Sequence, residues 1–369
     1  MDLTTLGFML MAAFGLIAGD AIVSGDTVYL DMSVSSELKS AGVDDVTAET
    51  LFEYHVARMT RHPTIISAPR VRSSRQQTLI EAIGTYLKVE PIRVAAQKAI
   101  GMTPIELHVS LQSRDKQARL VVAGYDHRKR PLLIDVEKPI AAYLDLIEEG
   151  AGRFVRAVGP YDYAMHLIID RADDAAAQRL LREVIDEQRD PALGAVSTDE
   201  LALFENLAGI VALIAGEPET AERAFVRASV LAPKLHRDEA NLAFLHVRQG
   251  RHAEAVAVVN GVLAQRGVHP DVMAAALVTR GIALWRLGMV KEAAADFRNA
   301  VRSDAHGVTA YHYWSMMEAR QGNAAEAARL TALRDAKASS FVPQPELAAH
   351  FLFLPETADQ PLVIRKAGR

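Results

Sequence analysis

Arg248, Arg286 and Arg320 have the residue type and spacing best suited to chemistry, because each opens the same short pattern. RQGRHAEA begins at Arg248, RLGMVKEA at Arg286 and RQGNAAEA at Arg320, so R-x-G-x-x-x-E-A returns after 38 and then 34 residues. A guanidinium stays charged at neutral pH and offers paired N–H donors that match the edge of a carboxylate or phosphate. Three of them at a regular repeat form a ladder that can hold an acidic ligand. Near the C-terminal end of a helix the same residues satisfy the last carbonyls and complement the dipole, with no ligand required. Spacing alone leaves both readings open.

Other residues offer weaker chemistry. Arg70, Arg72 and Arg75 surround Ser73 and Ser74, which can cap a helix running to about Tyr86. Free N–H groups at a helix start favour an anion, and cations there are otherwise unfavourable. Arg70, Arg72, Ser73 and Arg75 therefore make a candidate anion site, with a solvated loop as the plainer reading. His127-Arg128-Lys129-Arg130 is either a basic turn touching acidic headgroups or a solvated hairpin tip. The 12 histidines are scattered, and His246 and His252 straddle a turn, so no metal site is expected. Glu148-Glu149 is a carboxylate pair, but neighbours on a helix point to different faces. No G-x-x-x-x-G-K-S/T, G-x-G-x-x-G, G-x-S-x-G or H-E-x-x-H occurs, which removes the local signals of common catalytic sites. No enzyme activity and no cofactor are expected.

The elements that must position these residues follow from composition and periodicity. With 369 residues, half of them hydrophobic, the chain can bury two cores. Aromatics are only 6% and Ala, Leu and Val dominate, which favours helices packed through small residues. A net charge of -5 exerts no global pull on nucleic acid, and none is expected as a partner. The absence of cysteine excludes disulfides and thiol chemistry without deciding the compartment. At the N-terminus, Leu6 to Ala18 is uncharged and largely apolar, extendable to Leu3 through Val23 with only Asp20 inside. Residues 1–25 are expected to be a membrane anchor or uncleaved signal, the alternative being a buried helix.

Residues 26–157 read as a small α+β domain. Val28, Leu30, Met32 and Val34 alternate as a strand, and Val46 to Thr60 is helical behind Thr47 as a plausible cap. Ile105 to Ser110 and Ala118 to Gly124 form two strands joined by SRDKQ, with a short third strand at Leu132 to Val136 and a helix after Pro139. Residues 158–340 carry only helical signals, and 341–369 form a tail. In the helical part Gly216, Gly250, Gly288 and Gly322 fall in register, each followed five residues later by an alanine, Ala221, Ala255, Ala293 or Ala327. Seven residues before each glycine lies a small residue, Gly209, Ala243, Gly281 or Ser315. Phe225, Val259 and Phe297 fill the groove between helices, Thr331 stands in that place in the last unit, and Pro233 ends the first hairpin. A degenerate unit fits Tyr161 to Ile185 with Ala177 and Leu181 in register.

These residues resemble the tetratricopeptide repeat over roughly residues 160 to 335. The overall layout also looks like bacterial N-terminally anchored repeat proteins of unassigned function. The resemblance implies a mainly α protein with a small α+β N-terminal domain and a C-terminal right-handed α-solenoid. It further implies a concave groove lined by the first helix of each pair, with Arg248, Arg286, Arg320, Asn206, Ile210, Phe244, Trp285, His312 and Met316 facing a protein or peptide partner, an acidic one fitting the arginines. Ile214 stands where the ladder's first basic residue would be, so the family's two-carboxylate clamp is not reproduced. The expected role is a non-enzymatic scaffold or adaptor at the bacterial inner membrane, its bulk in the periplasm, with a cytoplasmic location as the alternative. Two other functions stay open: an enzyme or enzyme-regulating subunit with its site in residues 26–157, and an envelope protein associated with polysaccharide or lipid.

Overall fold

The computed structural model describes residues 27–61, 70–73, 105–125, 130–188, 197–302 and 307–340. The chain divides between Tyr163 and Ala164 into two compact units. Among the described residues it is mainly helical, and the strands lie in the first unit.

Among the described residues the first unit holds five strands, β1 (Thr27–Val34), β2 (Arg70–Ser73), β3 (Ile105–Arg114), β4 (Gln117–Tyr125) and β5 (Pro131–Pro139). They line up as β2-β1-β3-β4-β5, with β2 and β3 parallel to β1 and the last two antiparallel. Val28, Leu30 and Met32 face one side with Leu107, Val109, Leu111, Leu120 and Val122. Helices α2 (Asp45–Met59) and α3 (Tyr143–Val158) cover that side, Phe52 meeting Phe154 at 5.9 Å between ring centres. The short helix α1 (Ser36–Ser40) precedes them. Asp44, and not Thr47, caps α2, because its carboxylate accepts from the Thr47 N–H at 2.7 Å. The SRDKQ loop contracts to a two-residue turn, Asp115-Lys116, both at positive φ. That is the turn geometry whose twist matches antiparallel strands. Arg70 to Ser73 form a strand where a helix start was expected; residues 74–86 lie outside the described part.

Helix α4 (Pro160–His166), within which the division falls, runs on as a π-helical turn, Leu167–Arg171, before α5 (Asp174–Gln188) of the second unit. Then come α6 (Thr198–Ile214) with α7 (Pro218–Leu231), α8 (Arg237–Arg248) with α9 (His252–Leu263), α10 (Pro270–Arg286) with α11 (Val290–Ala300), and α12 (Gly307–Arg320) with α13 (Ala324–Ser340). The four register glycines sit just past the first helix of each pair, with φ from 75° to 81°. At each, the residue after the glycine donates to a carbonyl five residues back: Glu217 to Ala212, Arg251 to His246, Met289 to Leu284 and Asn323 to Glu318, at 2.8 to 2.9 Å. This helix-ending motif needs a left-handed residue, which glycine adopts without a Cβ penalty. The register alanine then makes the first bond of the second helix, to Glu217, Arg251, Met289 or Asn323.

The small residues explain how closely the paired helices cross. A Cβ added at Gly209 would lie 2.5 Å from the Phe225 ring, and one at Gly281 would lie 2.7 Å from the Phe297 ring. Each phenylalanine is fully buried against a bare backbone. The degenerate unit keeps the register without the glycine: Ala172 occupies the turn at φ 51°, and the Ala177 N–H bonds Asp173 O at 3.1 Å.

Two substitutions test this register in the unfolding curve of the full chain. Gly281→Leu overpacks the crossing and lowers stability by roughly 1 to 3 kcal/mol. Ala172→Gly relieves a left-handed alanine and raises it by up to about 1 kcal/mol, the gain being trimmed by glycine's larger unfolded-state entropy. An unchanged midpoint for the leucine variant contradicts the crossing assigned to Gly281.

Candidate functional site

Arg248, Arg286 and Arg320 are the last residues of α8, α10 and α12. Helix-end placement serves the capping role, yet it does not account for where two of them lie. The Arg286 guanidinium sits 5.1 Å from the centre of the Trp285 ring, and that of Arg320, from the next hairpin, sits 5.2 Å from the same centre. Stacking on an indole face stabilises each cation by about 0.5 to 1 kcal/mol at exposed positions. Among the described residues neither guanidinium forms an ion pair, whereas Arg227, Arg251, Arg280, Arg329 and Arg334 in the same unit all do. The positive field reaches further: burial and then Arg286 both hold the His252 imidazole below its usual range. Trp285 is itself buried at 7% exposure, Arg286 is half-buried and Arg320 is exposed.

The other groove residues divide. Met316 and His312 are half-buried, with Arg334 reaching to 3.3 Å from His312 Nδ1. Phe244 and Ile210 are core residues, 1% and 0% exposed, and Asn206 is buried with its Oδ1 accepting from Asn241 Nδ2 at 2.8 Å. Placing Phe244, Ile210 and Asn206 on a binding surface is therefore corrected. Successive first helices lean on one another, so each covers the side of its neighbour that an isolated hairpin would expose. The anion site fares no better: Arg70, Arg72 and Ser73 belong to β2, paired with β1, so no helix N-terminus at Ser73 supplies free N–H groups. Arg75, His127, Arg128, Lys129 and Leu3 to Val23 lie outside the described residues.

Several polar contacts escaped the sequence reading. Arg227 grips the fully buried Glu205 with two bonds of 2.8 and 2.9 Å across the first hairpin. Arg280 grips buried Asp296 with two bonds of 2.7 Å across the third, and also reaches Asn260. Arg251 ties Glu222 at 2.9 Å and Glu254 together beside buried His246, and His166 meets Asp170 at 2.8 Å on the π turn. Acid–arginine pairs 16 and 22 residues apart were the available signal. Without the hairpin geometry, nothing distinguishes that spacing from chance.

Among the described residues of the first unit the shifted carboxylates are pulled down. Asp135 is held by Arg119, Glu149 by Lys138, Asp44 by the Thr47 N–H and Glu37 by its own backbone N–H. Glu148 bonds Arg58 at 2.7 Å while Glu149 turns to Lys138 and Arg153, so the adjacent pair does face two ways. Among the described residues no group of three or more His, Asp or Glu side chains is placed to hold a metal ion.

Comparison with known proteins adds little. No protein-family model and no curated protein matches the chain. A solved structure described as "MamA RS-1 ArsTM double mutant" is similar at 16% identity and a TM-score of 0.38, over 51% of this chain and 95% of that one.

One buried group carries a measurable consequence. Asp238, in the first turn of α8, is 3% exposed with Oδ2 unpartnered, and burial drives its carboxyl from 3.8 up to about 7. A raised folded-state value favours the protonated folded form. Its contribution to stability is therefore complete below about pH 4 and is lost as pH rises towards 7, with an upper bound of about 4 kcal/mol. Asp238→Asn keeps a neutral polar side chain there and should flatten the pH dependence of the urea midpoint between pH 4 and 7. It should also exceed the wild type in stability above pH 7. Parallel curves for the two proteins contradict the assignment.

Proposed function

We propose that this protein is a non-enzymatic scaffold or adaptor that binds a peptide or protein partner in the groove of a tetratricopeptide-like, right-handed helical array. The reading is carried by the same glycine turn and alanine bond recurring in four hairpins among the described residues, each hairpin leaning on the next. Such arrays expose an extended surface made from one side of every repeat, and here that surface carries cations at the ends of α8, α10 and α12. An extended or helical peptide bearing carboxylates fits it best. Positioning a partner, with no chemistry of its own, is the proposed mechanism.

The proposal is tested by replacing Arg248, Arg286 and Arg320 together with Gln in the full chain, then measuring affinity capture and thermal stability on the same protein. A groove role predicts loss of the retained partner, each charged contact contributing on the order of 1 to 3 kcal/mol. A helix-capping role predicts instead a stability loss of about 0.3 to 1 kcal/mol per site with capture unchanged.

We also propose that Leu3 to Val23 anchors the protein in the bacterial inner membrane with its bulk in the periplasm. This rests on the apolar run alone; no described helix is long and apolar enough to cross a membrane. A reporter that is active only after export, fused after Arg369, should be active and sediment with membranes. An inactive, soluble fusion rejects both anchor and address.

A further inference from the structure

We propose that the turn entering α8 is a proton-operated latch on the joint between the α6–α7 and α8–α9 hairpins, closed when Asp238 and His236 are protonated and open when they are not. This goes beyond the partner-binding reading and does not depend on it.

The first helices of the hairpins begin differently. Ser197 caps α6 by accepting from the Glu200 N–H at 3.1 Å, and His269 caps α10 by accepting from the Asp271 N–H at 3.3 Å. Helix α8 instead starts from His236, left-handed at φ 57°, with no side-chain cap. A left-handed histidine persists only where its surroundings hold it, and the hold here is the contact of His236 Nδ1 with Glu239 Oε2 at 2.6 Å. That contact is an ion pair only while the imidazole carries its second proton. Two residues on, Asp238 is buried with Oδ2 unpartnered, and one turn further Asn241 meets Asn206 of α6, whose own Nδ2 is unsatisfied. An ionised Asp238 would be a buried charge with no salt bridge among the described residues, and a side chain so placed keeps its proton instead. Burial accordingly pushes the Asp238 carboxyl up to about 7. Both protons favour the closed turn.

The charges of the packed helices are engaged elsewhere. Those acting on Asp238 are Glu239, His236 and Arg237, on α8 or its cap, and Lys234 of the preceding loop is exposed. On α6, Glu205 is held by Arg227 of α7; at α10, Asp271 lies 3.7 Å from His269 and Arg280 grips Asp296. Glu222 of α7 and Glu254 of α9 converge with Arg251 on the far end of α8, beside His246. Burial holds the His246 imidazole below its usual range, so it gains a proton on exposure, the opposite sense to Asp238. Opening the entry turn alone releases the Asp238 proton, and its opening constant rises up to about tenfold per pH unit between about pH 4 and 7. Releasing the whole helix exposes His246 as well, and below about pH 6.5 the two proton changes offset each other. The latch therefore differs from unfolding of α8 in its pH slope.

The test is hydrogen exchange on the full chain from pH 5 to 7, each rate divided by that of the same amides in short unstructured peptides. Normalised exchange at Ala240 to Ala243 should rise about tenfold or more over that range, while Thr279 to Leu284 in α10 should change much less. Asp238→Asn should flatten the rise at 240–243. Glu239→Gln, at a partly exposed position, should speed exchange there several-fold at pH 5 and much less at pH 7. A flat wild-type profile, equal slopes in α8 and α10, or an unchanged slope in Asp238→Asn would each overturn the latch. Should the asparagine variant not fold, the Asp238 carboxyl is titrated in the wild type by carbon NMR: a midpoint near 7 supports the latch, and one near 4 overturns it.

Discussion

The helical unit depends on one backbone hydrogen bond, made four times among the described residues. The N–H after each turn glycine reaches a carbonyl five residues back, and that closure exists only with a left-handed residue between. Once it forms, the direction of the second helix is set within a narrow range. The small residues at Gly209 and Gly281 then decide how deeply the helices cross, because the rings of Phe225 and Phe297 occupy the space a Cβ would need. The turn and the crossing specify each other: a wider turn would leave Phe297 without its groove, and a bulkier residue at 281 would prise the turn open.

Charge is distributed over this frame in two different ways. The buried acids Glu205 and Asp296 lie on opposite members of their hairpins, one on the first helix and one on the second, and each is held by a bidentate arginine from the other helix. Pairs of this kind contribute little net stability once desolvation is counted, yet removing one partner leaves a buried charge costing roughly 3 to 5 kcal/mol. Their effect is to penalise any other pairing of the helices. Arg286 and Arg320 have no such duty, since the ring they stack on carries no charge to neutralise.

The hairpins were legible because their signals are local. A glycine, an alanine five residues on and a small residue seven before lie within about one hairpin, so periodicity alone locates them. Strand pairs were legible for the same reason, from the alternation of Leu107 and Val109 against Leu120 and Val122. What could not be read depends on contacts between units far apart in sequence. Phe244 and Trp285 look alike on a helical wheel, as apolar residues on the side that bears the arginines. Only the packing of neighbouring hairpins buries both rings in one core and brings Arg320 over Trp285. The strand at Arg70 to Ser73 was missed because its four residues carry two arginines and a serine; its partner β1, not its own pattern, makes it a strand.

Helix α8 shows where local rules and tertiary demands conflict. It buries Asp238, Asn241 and His246 alongside Phe244 and Leu245. Asp238 keeps an unpartnered oxygen, His246 leaves Nδ1 without a partner while its Nε2 lies 3.5 Å from Glu222, and Asn206 opposite spends its Oδ1 on Asn241 but leaves Nδ2 unsatisfied. Each orphaned group costs about 1 to 3 kcal/mol of desolvation, which offsets much of what the apolar face of α8 gains. The neighbouring α10 carries no comparable load: its buried Thr279 bonds the Ala275 carbonyl at 2.9 Å, and Arg280 is fully engaged with Asp296. The unsatisfied polar atoms of these helices therefore gather at the joint between α6 and α8, while Thr279 and Arg280 of α10 are both partnered.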